Sequence, residues 1–87
     1  LFIQPNNMNA LLGQARVLRA LYLIKPSVAV YNRVIEKAPN NIEALNGLGE
    51  TILANYELDK ARTIFNKVLS LDPQNRQAAH DLDILNK

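Results

Sequence analysis

Eighty-seven residues make one small domain, because a second hydrophobic core needs more chain than this. Apolar residues at 48% and charged residues at 21% exclude intrinsic disorder as the default state, and ten Lys+Arg against eight Asp+Glu leave a net charge of +2, too small a surplus to mark a nucleic-acid surface. The absence of cysteine removes disulfides, thiolate zinc sites and thiol nucleophiles, and the longest apolar run, Val17 to Ile24, is broken by Arg19 and falls short of a membrane span.

Taken in chain order, Leu1, Phe2 and Ile3 stand ahead of Pro5 as Leu69, Ser70 and Leu71 stand ahead of Pro73, so residues 1–7 read as the tail of an earlier helix. With no initiating methionine, the chain is expected to be a piece of a longer protein, any signal peptide or lipid anchor lying elsewhere. A first helix is expected over about 8–21, ending in a turn from Tyr22 to Lys25. Pro26 then opens a second over about 26–38, since proline's missing N–H is not needed in a first turn. Pro39 stops it, and Asn41 is placed to cap a third over about 42–54, along which Leu45, Leu48, Ile52 and Leu53 recur at helical spacing. Asn55 to Glu57 break that run. Leu58 starts a fourth helix over about 58–71, with Asp59 adding a favourable charge to its first turn and Ala61, Ile64, Phe65 and Val68 keeping the helical step. Pro73 and Asn75 repeat the punctuation before a last helix over about 76–86, and no strand is expected.

A single interval organises these elements. Pro5, Pro39 and Pro73 are 34 residues apart, as are Asn7, Asn41 and Asn75. Residues 8–41 laid on 42–75 give nine identities, among them Ala10 with Ala44, Gly13 with Gly47, Tyr22 with Tyr56 and Val34 with Val68, which chance does not explain. Each unit is two helices joined by a short turn, hence antiparallel neighbours.

A helix–turn–helix unit of this length resembles the tetratricopeptide repeat (TPR), with its Trp-x2-Leu-Gly-x2-Tyr, Ala-x3-Phe and Pro pattern. Leu45, Leu48, Gly49, Ile52, Ala61, Phe65 and Pro73 follow that pattern in 42–75, with aliphatic residues at two aromatic positions. Leu11, Gln14, Ala15, Leu18, Ser27, Tyr31 and Pro39 follow it more loosely in 8–41. The resemblance implies an all-α, right-handed α-solenoid: a tail at 1–7, repeats at 8–41 and 42–75, and a C-terminal capping helix at 76–87 whose polar face carries Arg76, Gln77, Asp81, Asp83 and Lys87. Gly49 and Ala61, and less tightly Ala15 and Ser27, are expected to let helices approach, with Tyr31 and Phe65 filling the space between units. The recurring Gly13 and Gly47 suggest close packing as well.

No catalytic constellation accompanies this pattern. His80 is the sole histidine, lacks a nucleophile or a set of metal ligands beside it, and reads as a polar groove or cap residue; no cofactor is expected. Arg16 and Arg19, three apart on one helix face, suit either a carboxylate or pairing with Glu43 or Glu50. The family resemblance implies a concave groove for a peptide segment or helix of a partner protein, lined here by Asn9, Leu12, Arg16 and Arg19, then Glu43, Asn46, Glu50 and Leu53, then Gln77, His80 and Ile84. It also implies that the clamp used by one branch of the family for acidic chaperone tails falls on Leu12, Arg16, Gly47, Gln77 and Asp81, where Arg16 is the one cation and Asp81 repels a carboxylate.

The expected role is therefore a non-catalytic, soluble interaction or scaffold module, cytoplasmic or periplasmic. A structural spacer and a component of pilus assembly or secretion resembling TadD-like proteins are the alternatives. Two and a half repeats are few for a stack. The isolated chain is expected to be marginally stable or to self-associate through an uncovered side around Leu11, Leu12 and Val34.

Overall fold

The computed structural model describes residues 7–86, so the expected tail of an earlier helix lies outside the described residues except for Asn7. Those residues form five helices and no strand: α1 (Met8–Ala20), α2 (Ile24–Lys37), α3 (Ile42–Ala54), α4 (Leu58–Leu71) and α5 (Arg76–Leu85). The interval seen in the sequence is kept to the residue, with α1, α3 and α5 starting 34 positions apart and α2 and α4 doing the same.

Local chemistry explains why each helix starts where it does. Asn7, Asn41 and Asn75 are extended N-caps whose side chains accept the backbone N–H of Ala10, Ala44 and Ala78 at 3.0, 2.9 and 2.9 Å, satisfying a donor that the helix itself leaves orphaned. Pro39 and Pro73 occupy the second position of turns closed by Asn41 N–H to Ala38 O and Asn75 N–H to Asp72 O, both 3.0 Å. The largest boundary difference from expectation is at α2, which begins at Ile24, not at Pro26. Proline is tolerated in the third position because the first N–H with an acceptor one helical turn back is that of Ser27, bonded to Leu23 O at 3.1 Å.

The turns inside the hairpins end α1 and α3 in the same way. Leu23 N–H reaches Leu18 O at 2.9 Å and Tyr22 N–H reaches Arg19 O at 2.9 Å, the two bonds of a Schellman motif, and Glu57 and Tyr56 repeat them on Ile52 and Leu53 at 3.2 and 2.9 Å. The residue in the left-handed region is a tyrosine both times, Tyr22 at φ 60° and Tyr56 at φ 61°, where glycine is the usual occupant.

Packing runs mainly between consecutive helices, with α1 also meeting α3, and the long axis of 45 Å against 26 and 18 Å fits an open stack. Core positions repeat with the helices: Tyr31 and Phe65, Val34 and Val68, Ala44 and Ala78 are all buried. The rings dominate the energy, since burying one large apolar side chain is worth about 1.5–3 kcal/mol. The small residues do what their size permits. A Cβ on Gly49 would lie 2.7 Å from the Phe65 ring, and a Cβ on Gly47 would lie 2.4 Å from that of Tyr31. Ser27 does more than save space, because its hydroxyl donates to the Ala15 carbonyl at 2.8 Å, tying α2 to α1 between two fully buried residues. Gly13 is the exception, with nothing among the described residues near the place its Cβ would occupy.

The expected uncovered patch is corrected by this packing. Leu11, Leu12 and Val34 are 5, 3 and 0% exposed, turned into the common core rather than outward. The apolar surface left open on α1 and its turn is instead Met8, Val17, Leu21, Tyr22 and Leu23.

Candidate binding groove

A cavity of about 440 Å3 opens between α1, α3 and α5, with the ring of Tyr31 reaching its wall from α2. Helical spacing assembles the walls: Arg16 and Arg19 lie three apart on α1, Glu43, Asn46, Gly47 and Glu50 follow at three- and four-residue steps on α3, and Gln77 comes from the first turn of α5. Six of the sequence-derived positions thus meet here, namely Arg16, Arg19, Glu43, Asn46, Glu50 and Gln77. Asn9, His80 and Ile84 are exposed and Leu53 is half-buried, all outside this wall. Leu12 is buried among the core leucines; it occupies the register of Asn46 one unit earlier, but an apolar side chain gains more from the core than from the rim.

Tyr31, Ile42 and Gly47 belong to the wall and are absent from the sequence-derived set, which followed only the outward register of the first helices. The signal for Tyr31 was the glycine inside a helical run at Gly47, a position that leaves room for a neighbouring ring.

Charges in the groove are only partly neutralised. Arg16 pairs with Glu43, both more than half exposed, so the pair contributes little stability. Burial raises the Tyr31 hydroxyl above its ordinary pKa, with Arg19 and then Arg16 pulling it back, so it stays protonated at neutral pH. Asp81, on α5 one turn after Gln77, is also raised, first by burial and then by Glu50, with His80 opposing.

Three polar atoms in and beside the cavity are buried without a hydrogen-bond partner among the described residues: Arg19 Nε, Asn46 Oδ1 and Asp81 Oδ2. The orientation of the Asn46 amide is fixed by its neighbours. Asn75 Oδ1 already accepts the Ala78 N–H at 2.9 Å, and Asn75 Nδ2 donates to Asp72 at 3.2 Å, so the group that Asn46 presents to Asn75 Oδ1, 3.3 Å away, is its NH2. Its carbonyl oxygen is thereby left over.

A tetratricopeptide repeat family model matches residues 27–82, which is more than half the chain. The chain belongs to the tetratricopeptide repeat family. No curated protein matches the sequence. Among solved structures, the chain is similar to the first TPR of Spaghetti (RPAP3) bound to the HSP90 peptide SRMEEVD, with a TM-score of 0.88 at 20% identity over 95% of this chain and 66% of that one. It is similar also to the second TPR domain of the human RPAP3 protein in complex with the HSP70 peptide SGPTIEEVD, with a TM-score of 0.84 at 21% identity over 93% of this chain and 68% of that one. At such identities the likeness is one of fold, and this TPR chain spans about two thirds of the length of those domains. Among its described residues no helix is long and apolar enough to cross a membrane, and no group of three His, Asp or Glu is placed to hold a metal ion.

Proposed function

We propose that this TPR chain is a non-catalytic interaction module that holds a segment of a partner protein in the groove between α1, α3 and α5. The observation that carries the proposal is the pair of unpartnered polar atoms, Arg19 Nε and Asn46 Oδ1, on residues that line one cavity. A buried donor or acceptor left unsatisfied costs about 1–3 kcal/mol, and a bound peptide, with alternating N–H and C=O groups, is the kind of ligand that relieves it. Two TPR domains of the same fold hold chaperone peptides, which supports the groove as a peptide site. The acidic tails of those peptides suit this groove poorly, since Glu50 and Asp81 stand at its α5 end.

The test is a pull-down comparing the native chain with Arg16→Glu and Asn46→Ala. Loss of a partner in both variants, with helix content unchanged, supports the groove, whereas partners retained by both variants refute it and leave a spacer. A second reading rests on a separate surface. Val17 on α1 and Leu21 at its C-cap, 59% and 63% exposed, continue from half-buried Gly13, and Gly47, one interval after Gly13, receives Tyr31 of the neighbouring hairpin. Self-association through that surface predicts concentration-dependent sedimentation that Val17→Glu abolishes; a monomer at every concentration excludes it.

A further inference from the structure

The two interfaces along the groove are related by the 34-residue interval but differ in charge. At the first, Arg16 of α1 meets Glu43 of α3 as an ion pair. One interval later the same positions are Glu50 and Gln77, so the second interface has an acid where the first has a base, and an amide where the first has an acid. Asp81, one interval after Gly47, adds a second carboxylate close enough for Glu50 to act on it. Neither the Glu50 nor the Asp81 carboxylate has a hydrogen bond or ion pair with another described residue, and the Oδ2 of Asp81 is buried.

Two acidic residues alone do not define a ligand. The independent observation is Asn46, one turn before Glu50, which is 6% exposed, lines the cavity and holds its Oδ1 without a donor. Its amide orientation is set by Asn75, so the free atom is an acceptor. The carboxylates of Glu50 and Asp81 and the Asn46 carbonyl thus lie along one end of the groove with the neutral amide of Gln77 beside them, an arrangement of acceptors that suits an ammonium or guanidinium group.

We infer that this end of the groove is a cation subsite, taking the Lys or Arg side chain of a bound peptide between the carboxylates of Glu50 and Asp81 and the Asn46 carbonyl. The inference rests on the peptide-binding reading above and adds the ligand's chemistry to it. Arg16 does not oppose the cation, because Glu43 neutralises it. Arg19 lies on α1, and its unpartnered Nε needs an acceptor, so the peptide lies with a carbonyl or carboxylate toward α1 and its cation toward α5. His80 is the one other titratable group acting on Asp81 from α5, and its influence there is weaker than that of Glu50.

The experiment screens a synthetic random-peptide library against the native chain and measures the recovered peptides by fluorescence anisotropy. The recovered binders are expected to share one Lys or Arg. Replacing that residue with norleucine, or the chain's residue by Glu50→Gln or Asp81→Asn, weakens binding about tenfold. Raised salt weakens the native complex and leaves the variant complexes less affected. Binders without a common cation, or binders whose affinity survives the Glu50→Gln, Asp81→Asn double variant, overturn the subsite and leave the groove standing. A screen from which the native chain captures nothing overturns the groove as well. Circular dichroism and a urea midpoint at least equal to the parent's separate lost binding from lost folding in Asp81→Asn.

Discussion

Gly13 and Gly47 occupy equivalent positions, 34 residues apart in the middle of α1 and α3, yet the structure assigns opposite signs to the same substitution. Alanine is more favourable than glycine in a helix interior by about 0.8–1.0 kcal/mol. Gly13→Ala gains that amount with nothing among the described residues in the way of the new methyl, so it stabilises the chain by about 1 kcal/mol, or roughly 4–8 °C in Tm. At Gly47 the same helical gain is opposed by the Tyr31 ring, whose carbons and oxygen lie 2.4 to 2.5 Å from the new Cβ, about an ångström inside ordinary contact. That ring is only 2% exposed and pinned in the core, so moving it carries an overpacking penalty of about 1–3 kcal/mol and Gly47→Ala is destabilising overall. Urea unfolding followed by circular dichroism measures both. A double-mutant cycle adding Tyr31→Leu isolates the ring, and Gly47→Ala should turn neutral or stabilising in that background. The same sign of shift at both glycines, or an absence of coupling between Gly47 and Tyr31, would refute the reasoning.

Further predictions concern the turns and two carboxylates. Tyr22→Gly and Tyr56→Gly should each raise the urea midpoint by the equivalent of about 0.5–1 kcal/mol, because both tyrosines hold left-handed backbone at 79 and 87% exposure and lose little packing; a lower midpoint in either shows that the ring contributes more than the strain. Asp81 binds its proton more tightly folded than unfolded, so its contribution to stability falls as pH rises from the ordinary aspartate range through its raised folded pKa. Asp81→Asn should therefore be the more stable protein at neutral pH, with the advantage vanishing at about pH 3. Glu57 works in the other sense, lowered by its hydrogen bonds to Asn55 and Lys60, so its stabilising effect is present above its ordinary pKa and lost as pH falls through the folded value. An Asp81→Asn curve parallel to the parent's across this range would show that the carboxylate is not penalised by burial.

Helices, turns and the repeat were legible in the chain because each depends on residues a few positions apart. Asn41 finds Ala44 and Pro39 ends α2 whatever lies across the core, and the interval of 34 then copies one hairpin's geometry onto the next. The start of α2 was misplaced because Pro26 marks a first turn without saying which of its positions it takes. Part of the cavity wall was legible: the outward register of α1, α3 and α5 follows from helical spacing, and Arg16, Glu43, Asn46 and Glu50 of that register line one cavity. What tertiary structure alone decided is how the hairpins stack. That stacking turned Leu12 inward, carried Tyr31 across to Gly47, buried Leu11 and Val34, and brought Glu50 within reach of Asp81, 31 residues along the chain. A local pattern sets which side of its own helix a residue occupies, but the neighbour on that side is chosen by the packing of rings and small residues between helices.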